Sequence, residues 1–195
     1  MPAAKDLNEL TWDCNIEQQA WMQSCEDNPK LPPDPQPNPP VAPYARLATN
    51  FKMGSKCDID SVTNDTLEAW WNEARNVKLL QNADLVYNDK IKNFAQMVNA
   101  KAEGFACTYN KCGSGGKFVC MYDSSRDASA NYKTLYEGGG TCTCQDVLII
   151  FANRSTNFVT TVTQPQPYTD DGLTYYQEQL ALNMNNYYRR LLATG

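Results

Sequence analysis

The chain has 195 residues and a formal net charge of −5, with 17 Lys and Arg, 22 Asp and Glu, 8 Cys and no His. That length suits one domain, or one domain with an appendage. Without a basic block it offers no phosphate-tracking surface for nucleic acid, no apolar run nears the roughly 20 residues of a membrane span, and without imidazole there is no Ser-His-Asp or Cys-His nucleophile and no His-containing zinc site.

Residues 7–24, "LNELTWDCNIEQQAWMQS", set Leu7, Leu10, Cys14 and Trp21 beside Trp12, Ile16 and Ala20 on adjoining helical faces, and predict a buried helix. Eight prolines between Pro29 and Pro43 follow. They remove backbone donors and favour extended geometry, which reads as a surface loop or spacer rather than a ligand for a proline-recognition domain. From Asp60 a second helix is expected, with Leu67, Trp70, Trp71, Ala74 and Val77 inward, and a third over 87–99 with Tyr87, Ile91, Phe94 and Val98. After Gly104 the period changes, and "FACTYN" and "GKFVCMYD" around "KCGSGG" read as a hairpin or neighbouring strands. Two more strand-like pieces, 147–152 and 158–163, precede a Pro-x-Pro linker. In the last segment, "GLTYYQEQLALNMNNYYRRLLATG", Thr174 and Gln177 form a capping box. Leu173, Tyr176, Leu180, Met184, Tyr187 and Leu191 predict one apolar stripe, and Gly195 supplies the stop.

The cysteines are Cys14, Cys25, Cys57, Cys107, Cys112, Cys120, Cys142 and Cys144. An even number without paired Cys-x-x-Cys motifs favours disulfides made in an oxidising compartment over a zinc ribbon. "MPAAKDLNEL" has neither the charged start nor the apolar stretch of a secretory signal, so the expectation is that a signal was removed or the true beginning is missing. Asn64-Asp65-Thr66 and Asn153-Arg154-Ser155 are N-glycosylation acceptors by pattern. Helices, then strands, on a disulfide framework indicate an α+β or three-layer domain.

Five stretches in order, "PAAKDLNELTWDCNIEQQA", "EAWWNEA", "KNFAQMVNAKAEGFAC", "FVCMY" and "TLYEGGGTCTC", resemble the CAP superfamily of cysteine-rich secretory, antigen 5 and pathogenesis-related proteins. The resemblance is strongest to the Ancylostoma-secreted proteins of parasitic nematodes and spans residues 2–144. It implies a three-layer α-β-α sandwich, disulfide-bonded, and it gives the terminal stretch an unusual place: "GLTYYQEQLALNMNNYYRRLLATG" resembles the family's first helix, which ordinarily precedes "PAAKDLNEL" directly. The implied organisation is a CAP domain over 1–145 lacking its first helix, a linker over 146–171, and that helix over 172–195. The helix belongs either to a following domain of a tandem protein or to its own front domain in a circular permutation. In a compact fold of these residues it is expected to dock onto the front domain.

Relatives are described as holding two histidines and two glutamates in a central cleft that in some members binds zinc. Carried over, these positions fall at Asn93, with Lys92 for the preceding glycine, and at Thr49, followed by Asn50. Another lies near the proline run, and only Glu73 keeps its identity, with Gln96 a further neighbour. One carboxylate cannot replace the three or four ligands of a zinc site, so no metal, no other cofactor and no catalytic residue is expected. "MYDSSRDASANY" also lacks the family's Pro-x-Gly-Asn. By resemblance and proximity Cys107 pairs with Cys120, and Cys14, Cys25, Cys57 and Cys112 pair among themselves. Cys142 and Cys144 are expected to pair with hinge cysteines this chain lacks. The implied function is that of a secreted, non-enzymatic effector binding host cell-surface or plasma proteins. A sterol or lipid carrier, with an apolar groove near Phe94, Phe105 and the Tyr187–Tyr188 pair, is the alternative; a hydrolase ranks below both.

Overall fold

The structure is a computed structural model describing residues 3–4, 6–26, 44–53, 58–76, 86–128, 133–140 and 172–194. The proline run, Val77, Cys57, Cys142, Cys144, Asn153, Gly195 and the strand-like pieces at 147–152 and 158–163 lie outside these residues.

The elements in chain order are β1 (Ala3–Ala4), β2 (Thr11–Trp12), α1 (Cys14–Met22), β3 (Ala45–Phe51), α2 (Ile59–Asn76), a 3-10 turn (Asp89–Ile91) running into α3 (Lys92–Met97), β4 (Gly104–Cys112), β5 (Gly115–Tyr122), β6 (Gly138–Gly140) and α4 (Tyr175–Thr194). The helix expected over 7–24 is therefore shorter at its front. Asp13 stops it there, because its carboxylate accepts from Asn15 N at 2.7 Å and Ile16 N at 3.3 Å, the arrangement of an N-cap. The preceding Thr11 and Trp12 run extended beside Gly104 and Phe105.

The main sheet has the order β2-β4-β5-β3. β4 and β5 are an antiparallel hairpin, with Cys107 opposite Cys120. Its turn places Gly113 at φ 66°, backbone that glycine enters without steric cost. Both strands are buried along most of their length, which explains why they read as continuous apolar runs rather than alternating ones. β3, not anticipated as a strand, pairs antiparallel with β5 from Ala45↔Tyr122 to Phe51↔Gly116. The Phe51 ring lies where a Cβ on Gly116 would sit. A small second sheet joins β1 to β6, with Ala3 opposite Gly140.

Helices cover both faces. On one, Ile16 and Ala20 of α1 pack against Ala106, Val119 and Met121. On the other, Leu67, Trp70 and Ala74 of α2, Phe94 and Met97 of α3, and Ala181, Tyr188 and Leu192 of α4 share a core with Phe105, Cys107, Phe118, Cys120 and Tyr122. The result is the three-layer α-β-α arrangement, closed by disulfides Cys107–Cys120 and Cys25–Cys112. Cys14 is exposed and unbonded among the described residues.

α4 lies parallel to α2. Gln177 Nε2 donates to Asp60 Oδ1 at 3.2 Å across 117 residues, and Tyr188 meets Trp71 at the same offset. The capping box forms: Thr174 N donates to Gln177 Oε1 at 3.0 Å and Gln177 N to Thr174 Oγ1 at 3.4 Å. The buried face is not the predicted stripe. Tyr176, Tyr187 and Leu191 are exposed, whereas Leu173, Gln177, Ala181, Asn185, Tyr188, Arg189 and Leu192 are buried. The physical reason is that the polar members of this face are matched to backbone. Asn186 brackets Leu10, accepting from its N–H at 2.7 Å and donating to its carbonyl at 3.0 Å. Arg189 donates to the carbonyls of Asn8 at 2.7 Å, Met97 and Asn99 at 3.0 Å each, and Ala102 at 3.3 Å. Arg190 adds an ion pair with Glu9. These bonds seat the last helix on residues 8–10 and on the carbonyl end of α3, where a cation is favoured.

Candidate functional site

The cleft positions inferred from the sequence fall on three elements, and two of them converge. Glu73, in the last turn of α2, aims its carboxylate at the start of α3. Oε2 accepts from Asn93 N at 2.9 Å and Phe94 N at 3.0 Å, and Oε1 accepts from Asn93 Nδ2 at 2.6 Å. Free N–H groups at a helix start need acceptors, and a carboxylate there also gains from the helix dipole. Ile91, which precedes α3, contributes no side-chain cap, so Glu73 supplies from another helix the cap the local sequence lacks.

Gln96 does not join this pair. Its amide forms a reciprocal pair with the backbone of Arg126, donating from Nε2 to the carbonyl at 2.7 Å and accepting from N–H at 2.8 Å. The residues after β5, where the family's Pro-x-Gly-Asn is missing, are held instead by this amide and by Asn99 Nδ2 donating to Ser124 O at 3.0 Å. Thr49 sits half-buried in β3 opposite Phe118.

The surroundings are acidic. Partial burial raises the Tyr87 phenol above its ordinary range, and the carboxylates of Asp89, Asp127 and Glu73 raise it further. Sequence reasoning missed this group. The only local signal is Tyr87 two residues before Asp89 in "VYND", and Asp127 is remote from it in sequence.

A zinc ion does not fit these residues. Both oxygens of Glu73 already accept N–H donors, the Asn93 amide is committed to Glu73 and the Gln96 amide to the backbone of Arg126, and no imidazole exists in the chain. Among the described residues no three His, Cys, Asp or Glu converge as ligands. Structural and catalytic zinc sites alike need three or four strong donors.

The aromatics expected to line an apolar groove separate into two populations. Phe94 and Phe105 are 1% and 0% exposed and packed ring to ring, Phe94 against Trp71 and Phe105 against Tyr122 and Trp12. They are core. Tyr187 is 49% exposed, as is Tyr176, while Tyr175 reaches 75%. Tyr176, Tyr187 and Leu191 lie on the outer side of α4, and Tyr175 is exposed at its first residue.

Residues 3–122 match the family model described as CAP, the cysteine-rich secretory protein family; α4 lies beyond the matched segment. A comparison with curated protein sequences gives no match. Among solved structures the chain is similar to Na-ASP-1, at 23% identity over 73% of this chain and 34% of that one, with a TM-score of 0.55. It is similar to BmVAL-1 at 19% identity over 75% and 73%, TM-score 0.56, and to NaASP2 solved with Zn2+ at 22% over 71% and 70%, TM-score 0.54. Na-ASP-1 and BmVAL-1 are venom allergen-like proteins of nematodes and helminths. At these identities the likeness is one of fold. The chain spans about a third of the length of Na-ASP-1.

Proposed function

The chain belongs to the cysteine-rich secretory protein family, and from that premise we propose that it is a secreted, non-catalytic binding protein of a parasitic helminth, acting on host cell-surface or plasma proteins. The observation that carries this reading is the state of Glu73. The one acidic residue kept at the family's cleft spends its lone pairs on three N–H donors of α3. A carboxylate so engaged can neither abstract a proton nor share in a metal centre without opening the helix start. The scaffold is retained and the reactive groups are not.

Two features support binding by surface contact. The disulfides fit an oxidising, extracellular setting. The outer side of α4 displays Tyr176, Tyr187 and Leu191 to solvent, and Tyr175 is exposed at its start. Tyrosines on a rigid helix are the kind of side chain that anchors protein interfaces, since they bury a large area with few rotamers to freeze. In this reading α4 also takes the place of the family's first helix, seated by Asn186 and Arg189 on the segment that this helix would otherwise precede.

The test is capture of host plasma and cell-surface proteins by the full chain. A saturable complex at micromolar concentration or tighter, weakened at least tenfold by joint substitution of Tyr176→Ala and Tyr187→Ala, is the expected result. An empty screen at micromolar concentration overturns the proposal.

A further inference from the structure

We propose that Asn64 is an N-glycosylation site and that its glycan is attached before α2 packs into the fold. The triplet Asn64-Asp65-Thr66 lies inside α2, and its two ends face opposite ways. Asn64 is exposed, within a solvent face made by Ser61, Asp65 and Glu68. Ser61 Oγ donates to Asp65 Oδ2 at 3.5 Å along that face. A hydrophilic oligosaccharide on Asn64 Nδ2 therefore displaces no apolar contact. Thr66, by contrast, is only 6% exposed. It lies among Thr63, Leu67 and Trp70 on the face turned to the core. In the finished fold the residue that completes the acceptor triplet is therefore buried against the core.

The order of synthesis opens a window. The elements chiefly packed against α2 are the 3-10 turn, α3 and α4, with Phe118 of β5 against Trp70, and these follow it in the chain. Gln177, which closes the first turn of α2 onto α4, comes 117 residues after Asp60. At roughly 5–20 residues per second that is about 6 to 23 s, during which α2 has no tertiary partner on that side and an isolated helix of its length is marginal.

In the reaction, Asn64 Nδ2 attacks C1 of an oligosaccharide carried on a polyprenyl pyrophosphate. The N–C1 bond forms, the C1–O bond to pyrophosphate breaks, the amide gives up one proton, and the lipid pyrophosphate leaves. No oxidant or reductant is needed.

Peptide mapping of the protein secreted by an N-glycosylating cell tests the assignment. The expected result is a hexose- and N-acetylhexosamine-bearing peptide at Asn64 that an amidase converts to Asp. The mass shift is lost in Asn64→Gln, kept in Thr66→Ser, and kept in part or whole in Asn153→Gln. Recovery of unmodified Asn64 from such cells overturns the site. For the timing, purified transferase is offered the unglycosylated chain, either folded with disulfides intact or reduced and unfolded. At least a tenfold preference for the unfolded chain is expected, and equal rates overturn the proposed order.

Discussion

Trp71 and Tyr188 stack with ring centroids 4.8 Å apart and planes inclined by 17°, joining a helix from the middle of the chain to the last one. Phe94 continues the series on one side at 5.3 Å from Trp71, and Tyr187 on the other at 5.6 Å from Tyr188. The four rings run from full burial at Phe94 to half exposure at Tyr187.

Tyr188→Leu keeps most of the apolar volume and removes the stack. An aromatic pair contributes about 0.5–1.5 kcal/mol beyond its buried area, so this variant is expected to lose that amount in urea unfolding. In a double-mutant cycle with Trp71→Leu the coupling should be of the same size, and additive losses would show that the stack contributes nothing specific.

Arg189 is 1% exposed and donates to four carbonyls, none of them part of a carboxylate. Burial lowers its pKa to about 10, still far enough above neutrality for the guanidinium to remain charged. Arg189→Met leaves carbonyls at the end of α3 without donors, each worth about 1–3 kcal/mol. A loss of roughly 3 kcal/mol or more is expected, with faster proteolysis at α4. Arg189→Lys should recover only part of it, since an ammonium cannot reproduce the fork. Full recovery by Lys would mean that charge alone matters there.

Among the described residues three carboxyl groups carry raised pKa values, each chiefly through burial. Glu17 is raised against the opposing bond from the Trp12 indole, Glu178 is raised further by the charge of Glu17, and Asp123 is raised despite the N–H groups of Gly104 and Glu103. A carboxyl whose folded pKa exceeds its unfolded value binds more protons when folded, so stability falls as pH rises through that window. The melting temperature is therefore expected to be higher near about pH 5 than near about pH 7, and the difference should shrink in the Glu17→Gln, Glu178→Gln double variant. A steady loss of stability on acidification over that range would contradict this.

Much of the fold was legible in the residues because local and tertiary preferences agree. The Gly-centred hairpin with paired Cys107 and Cys120 and the inner spacing of Leu67, Trp70 and Ala74 all appear where the periods place them, and so does the capping box of Thr174 and Gln177. The buried face of α4 was not legible. A hydrophobic stripe cannot reveal that Asn186 and Arg189 carry donors matched to carbonyls 176 and 181 residues away, and once those bonds exist the tyrosines are free to face water. Trp12 was read into a helix because its spacing allowed it; the Asp13 cap and the edge of β4 decide otherwise. At the cleft, the sequence could say that imidazoles were absent, but not that Glu73 had become the cap of α3.

That role of Glu73 has its own signature. Glu73→Gln keeps the size but replaces one acceptor oxygen with a donor facing N–H groups, and should cost about 1–3 kcal/mol. The loss should be seen as reduced amide protection at Asn93 and Phe94 with the sheet unaffected. Protection unchanged at those two amides would remove the cap.

Calorimetric titration of the full chain with Zn2+, beside the Glu73→Gln variant, tests the central claim most directly. With the carboxylate committed to α3 and no imidazole to assist it, no saturable one-to-one binding is expected in either protein at micromolar metal. Stoichiometric, micromolar binding in the parent chain that disappears in Glu73→Gln would contradict the account.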